Sequence, residues 1–116
     1  MSNAFANTMI VLTHEGMGQG PLDLQQKVLK TWLALMAENQ LLPGAIAFYT
    51  EGVKLMLDDS PLLDAFLALE AQGVHLIVCK TCLDYFSGAQ RLGGGVIGGM
   101  GDIQAAMATA TKVLFL

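Results

Sequence analysis

The sequence predicts an α/β fold: a three-layer α/β/α sandwich around a mostly parallel sheet of about five strands. Short apolar runs of strand length alternate with stretches of helical spacing along the chain. No internal repeat or low-complexity linker interrupts that alternation, and 116 residues suffice for one core but not for two. Strand–helix alternation of this kind buries a parallel sheet between helical layers.

Met9-Ile10-Val11-Leu12-Thr13, closed by His14-Glu15-Gly16, reads as a buried first strand. Gly20-Pro21 opens a helix, with Pro at a favoured first position and Asp23 near the positive end. Its apolar positions, Leu29, Trp32 or Leu33, and Met36, recur at helical spacing, and the pattern stops before Pro43-Gly44. Ala45 to Tyr49 reads as the second strand, and Glu51 to Leu57 as a short helix. Ser60-Pro61 has the form of a helix start, followed by the apolar face Leu62, Leu63, Phe66, Leu67 and Leu69 and a stop at Gly73. Val74 to Val78 is the third strand. A short helix then runs to about Ser87, a glycine-rich connection contains a very short strand at Val96-Ile97, a helix spans about Asp102 to Ala110, and Lys112 to Leu116 closes the sheet. Residues 1–116 are expected to form one domain, with 1–8 as a flexible extension.

Composition narrows the function. Hydrophobic residues make up 53% of the chain and charged residues 14%, against roughly 25% in an average soluble protein. So few charges on so small a domain imply self-association that buries an apolar face, so a homo-oligomer is expected. The mean hydropathy of +0.52 raises the question of a membrane, yet no run approaches the roughly 20 apolar residues a spanning helix needs. The net charge is −4, and the basic residues Lys27, Lys30, Lys54, Lys80, Arg91 and Lys112 are scattered, which excludes a phosphate-neutralising stripe and hence nucleic acid. No secretory signal and no disulfide framework are evident, so a cytoplasmic protein is expected.

The chemistry points to Cys79-Lys80-Thr81-Cys82, which holds the only two cysteines and stands where the third strand gives way to a helix. A thiol on the positive end of a helix has a lowered pKa and a usable thiolate. Two cysteines fall short of the four ligands of a structural zinc site, and His14 and His75 are the only other soft donors, so no metal and no cofactor are expected. A buried structural thiol is the bland alternative for Cys79. Lys80 is a nearby cation for a thiolate, or else a solvated lysine. In open parallel sheets ligands gather at the carboxyl ends of the strands. His14, Glu15, Tyr49, Thr50 and Thr81 share that edge with the cysteines as candidate substrate-binding residues, His14 as a base or charge partner. Gly93-Gly94-Gly95-Val96-Ile97-Gly98 satisfies G-x-G-x-x-G, but too late in the chain and without the following acidic residue of a dinucleotide site. It is read as a mobile loop or a lid. The Cys-x-x-Cys spacing is also that of thioredoxin-like redox pairs, although it follows the third strand and no cis-proline candidate accompanies it.

Met17-Gly18-Gln19-Gly20, Phe48-Tyr49 with Gly52-Val53-Lys54-Leu55, Ser60-Pro61-Leu62-Leu63, Leu69-Glu70 and Gly73-Val74 stand in an order that leads to Cys79-x-Thr81-Cys82-Leu83-Asp84-Tyr85-Phe86. Together they resemble the DsrE-like sulfur-relay family, most specifically the C-terminal domain of YedF-type proteins linked with selenium metabolism. The resemblance implies a DsrE-like fold, oligomers, and a sulfane sulfur on a cysteine at a strand's end, which maps onto Cys79, with Cys82 as the additional cysteine of the YedF-type subgroup. It also implies a TusA-like sulfur-carrier partner, expected here as a separate protein. The chain departs from the family pattern at Lys80 and at Gly98-Gly99-Met100-Gly101. The expected function is a sulfur or selenium carrier, or a sulfurtransferase-like protein, holding a cysteine persulfide. A non-catalytic subunit of a sulfur relay and a dithiol redox protein are the alternatives.

Overall fold

The computed structural model describes residues 3–116; Met1 and Ser2, part of the expected extension, lie outside the described residues. The elements run β1 (Thr8–Leu12), α1 (Leu22–Glu38), β2 (Ala45–Phe48), a 3-10 helix (Thr50–Met56), α2 (Leu63–Ala71), β3 (His75–Cys79), α3 (Lys80–Tyr85), a 3-10 turn (Ala89–Arg91), β4 (Val96–Gly98), α4 (Met100–Thr109) and β5 (Lys112–Phe115). The five strands form one parallel sheet in the order β4-β3-β2-β1-β5.

The order fixes the layers. From β1 to β4 each step moves the same way across the sheet, so right-handed crossovers place α1 and α2 together on one face. The return from edge strand β4 to the opposite edge β5 carries α4 over the other face. In agreement, α1 packs on α2, and Phe48 of β2 meets Phe66 of α2 edge to face at 5.0 Å. Ile10, Ile46 and Leu76 stand side by side in register and fill the α1/α2 side. Val11, Ala47 and Ile77 form the next row, which faces α4 because successive side chains alternate. The α4 layer is thin: Ile103 is its one fully buried side chain. Burying a Leu, Ile or Phe side chain is worth roughly 1.5–3 kcal/mol, so the α1/α2 side carries most of the stabilisation.

Sequence and structure differ at the boundaries, each time for a local reason. Residues 3–7, expected as a flexible extension, form turns in which Phe5 stacks on Trp32 at 6.3 Å, and Thr8 already belongs to β1. The Ser60-Pro61 signal marks a turn before α2: Ser60 Oγ accepts the Leu62 amide at 3.2 Å, and the helix begins at Leu63. The glycine-rich segment contains edge strand β4 at the expected Val96-Ile97, extended by Gly98, and its lead-in is pinned rather than loose. It is held by Gly93 N–H on the Met56 carbonyl (2.8 Å) and Gly95 N–H on Glu70 Oε2 (3.0 Å). β3 extends one residue beyond the expected Val78, so Cys79 is the last residue of the strand.

Candidate functional site

The strand passes into helix α3 without a loop. Cys79 closes β3 with extended backbone, and Lys80 is the first helical residue. The helical turn brings Cys82 back near Cys79, close enough for each thiol to feel the other. Both thiols are unpaired, Cys79 buried and Cys82 half-buried. In the register, Cys79 lies opposite Gly98 of β4, where an added Cβ would stand 2.9 Å from Ile77 Cγ2.

A second strand end supplies the third member. Directly after β2, Thr50 adopts φ 48°, a left-handed conformation that is a genuine outlier for a β-branched residue. There its amide donates to Cys82 Sγ at 3.0 Å, while its hydroxyl lies 2.7 Å from both the Thr13 and Tyr49 carbonyls. The strained residue is thus tethered to the ends of β1 and β2 and aimed at the thiol on α3. Gly52 makes the close approach possible, since a Cβ there would stand 1.9 Å from the Leu12 carbonyl oxygen.

Burial pushes the Cys82 thiol up, the neighbouring Cys79 pushes it further in the same direction, and the Thr50 amide opposes both by favouring the thiolate. The helix α3 spans only six residues and has no side-chain cap, so the thiolate stabilisation expected of a helix end has little macrodipole behind it. A backbone amide brought in from another strand acts there instead.

The remaining predicted site residues have unlike surroundings. Tyr49 is half-buried, and its backbone joins the Thr50 turn: its amide donates to Leu12 O, and its carbonyl accepts from Gly52 N–H. His14 is turned the other way, with Nδ1 2.9 Å from Gln25 Oε1 and Nε2 3.3 Å from the Leu116 carbonyl. Lys80 is paired with Asp84 Oδ2 at 2.7 Å, one helical turn on, and that carboxylate raises its pKa further. Thr81 is exposed on α3. Glu15 lines a cleft of about 300 Å³ together with Lys54, Phe86 and Arg91. Phe86 follows Cys82 by one helical turn, and Lys54 Nζ sits 4.4 Å from the Phe86 ring centre. Among the described residues no group of three or more His, Cys, Asp or Glu is placed to hold a metal ion, and no helix is long and apolar enough to cross a membrane.

Two contributors escaped the sequence reading. Thr13 acts only through its carbonyl, which leaves no side-chain signal. Gly52, two residues after Thr50, was a visible signal of close backbone approach. The Lys80–Asp84 pairing was also legible, because residues four apart on a helix are neighbours.

The fold is shared with solved structures. The crystal structure of the YchN protein from E. coli superposes with a TM-score of 0.72 at 22% identity, covering 96% of this chain and 99% of that one. The structure of MTH1491, a protein of unknown function from Methanobacterium thermoautotrophicum, gives a TM-score of 0.70 at 16% identity, over 94% of this chain and 97% of that one. No curated protein matches. The sequence pattern of the DsrE/DsrF-like family matches residues 17–116, a span that includes Thr50 and both cysteines. The parallel five-stranded sheet and that match together place the chain in the DsrE/DsrF-like family, which is associated with sulfur relay.

Proposed function

We propose that the protein is a sulfur carrier, sulfurtransferase-like in its chemistry, that holds a sulfane sulfur as a persulfide on the Cys79/Cys82 pair. One observation carries the proposal: two unpaired thiols lie near each other at the carboxyl edge of the sheet, one of them partly open to solvent with a fixed N–H on its sulfur. A thiolate there attacks the outer sulfur of a donor persulfide, and an acceptor thiol later removes that sulfur by the same exchange chemistry. Selenium fits the same scheme, in keeping with the YedF-type likeness. A TusA-like sulfur carrier is the proposed partner.

The proposed carrier self-associates. Leu22, Leu24, Val28 and Leu35 are exposed along α1, and Val96 and Ile97 on edge strand β4. Exposed apolar faces and edges of this kind are normally covered. Light scattering tests this, and a clean monomer overturns it.

Intact-mass analysis after anaerobic incubation with inorganic polysulfide tests the carrier. The wild-type protein is expected to gain one or more reducible sulfur atoms, and the Cys79→Ser/Cys82→Ser double variant none. The proximity of the two thiols favours one second reading, a dithiol redox protein. A mass change limited to the loss of two hydrogens, with no sulfur gained, would replace the carrier by that reading.

A further inference from the structure

The two thiols have unequal surroundings. Cys79 is 3% exposed and packed into the core, whereas Cys82 is partly open to solvent and carries the Thr50 amide on its sulfur. A sulfur that exchanges with a donor and then an acceptor needs room for each to approach along the bond being broken. A core-packed sulfur lacks that room. We infer that Cys82 bears the transferred sulfur, that the tethered backbone amide of Thr50 positions it, and that Cys79 is the resolving thiol behind it. This assignment rests on the carrier reading above, reverses the mapping of the sulfur onto Cys79 that the family resemblance implies, and divides the labour between the cysteines.

The chemistry balances in three steps. The Cys82 thiolate, its proton lost to water, attacks the outer sulfur of a donor persulfide R–S–SH. A Cys82–sulfur bond forms, the donor S–S bond breaks, and R–S⁻ leaves. Where no acceptor thiol arrives, the Cys79 thiolate attacks Cys82 Sγ. The Cys79–Cys82 disulfide forms and the sulfane sulfur departs reduced, as HS⁻, while the two cysteine sulfurs are oxidised. An external dithiol then reduces the disulfide and resets the pair.

Thr50 is a positioning residue. Its left-handed backbone is costly for a β-branched side chain, and it is held by the hydroxyl's contacts with the Thr13 and Tyr49 carbonyls. Thr50→Val keeps the branched shape and removes the tether, so the backbone relaxes and the amide leaves the sulfur. Thr50→Gly adopts the same φ without strain and keeps the amide in place.

The test is polysulfide loading followed by alkylation and peptide mass mapping, on wild type, Cys79→Ala, Cys82→Ala, Thr50→Val and Thr50→Gly. Expected are added sulfur on Cys82 in Cys79→Ala, longer-lived than in wild type because the resolving thiol is gone, and none in Cys82→Ala. Sulfur retained by Cys82→Ala and lost from Cys79→Ala overturns the assignment while leaving the carrier standing. No sulfur on any variant, or on wild type, removes the carrier itself. Should Cys79→Ala fail to fold, wild type sampled at short times decides: sulfur first on Cys82 supports the assignment, and sulfur first on Cys79 overturns it. For Thr50→Val, alkylation of Cys82 at neutral pH is expected to slow about tenfold, with its pH midpoint moved up, as befits loss of a hydrogen bond to a charged sulfur. Thr50→Gly should stay near wild type. A folded Thr50→Val with an unchanged pH profile overturns the role of Thr50.

Discussion

Two polar loops leave the carboxyl ends of adjacent strands, and they meet different neighbours. The loop after β1 carries His14, whose ring contacts Gln25 and the carbonyl of Leu116, just beyond β5. The turn after β2 carries Thr50, whose amide reaches Cys82, just beyond β3. The strand order explains the difference: β1 has β5 on its outer side, and β2 has β3. In a parallel sheet, the end of each strand delivers its groups to the end of the strand beside it. Sharing the carboxyl edge of the sheet is therefore insufficient. What decides whether a loop reaches the cysteines is which neighbour its strand has.

The largest blow to the β2 turn comes from Gly52→Ala. The added Cβ would overlap the Leu12 carbonyl oxygen, a backbone atom that cannot rotate away. A loss of about 3 kcal/mol is expected, at the upper end for overpacking, read from the denaturant midpoint. Under native conditions the surviving folded protein should also show altered alkylation at Cys82, because Thr50 is displaced with Gly52. Unchanged stability and unchanged thiol kinetics together would mean that the β2 turn does not hold the sulfur.

Next in size is Cys79→Ala, which separates the two thiols directly. Burial, Cys79 and the Thr50 amide all act on Cys82, the first two raising its pKa and the third lowering it. Wild-type Cys82 should accordingly alkylate with a pH midpoint above the usual thiol range. Removing Cys79 takes away one of the raising contributions, so the midpoint should move down and alkylation at neutral pH should accelerate several-fold. A midpoint that stays put, or rises, would show that the two thiols do not interact. The truncation of this buried side chain should cost roughly 1 kcal/mol of stability.

His14→Ala sets the contrast. It removes the contacts to Gln25 and Leu116 that join the β1 loop to helix α1 and to the chain beyond β5. A loss of about 1 kcal/mol is expected, with no change in the alkylation rate of Cys82. A large fall in that rate with stability preserved would restore His14 as a partner of the thiols.

The parts of the molecule that announce themselves in sequence are those whose side chains do the work. Apolar runs such as Ile10-Val11-Leu12 and Leu76-Ile77-Val78 mark central strands because both faces of the sheet are buried there. Leu29, Leu33 and Met36 mark the inward stripe of α1. β4 is harder to see, because Val96 and Ile97 are exposed on an edge and glycines surround them. The cysteine pair is plain in the sequence, but the split between a buried Cys79 and a half-open Cys82 arises only when the strand runs straight into α3. The sequence marks Thr50 by its place on the edge, yet what it contributes is an amide, which every residue but proline has. Its hydroxyl tether depends on the Thr13 carbonyl, 37 residues away, and no local pattern encodes that meeting.

The smallest expected effect concerns the cation beside the cysteines. Lys80 stands next to Cys79 in sequence, and a lysine so placed is the obvious candidate to favour a thiolate. In the structure its ammonium is exposed and 2.7 Å from Asp84 Oδ2, with its charge already matched by the carboxylate. Solvent and that carboxylate together screen its field at the sulfurs. Lys80→Gln should therefore leave the pH profile of Cys82 alkylation where it is, at low salt as well as at high. A profile that moves up at low salt and returns at high salt would reveal a long-range contribution from Lys80. The control of the site would then be shared between a side chain on α3 and the amide from the β2 turn, and the contrast between the two strand ends would weaken accordingly.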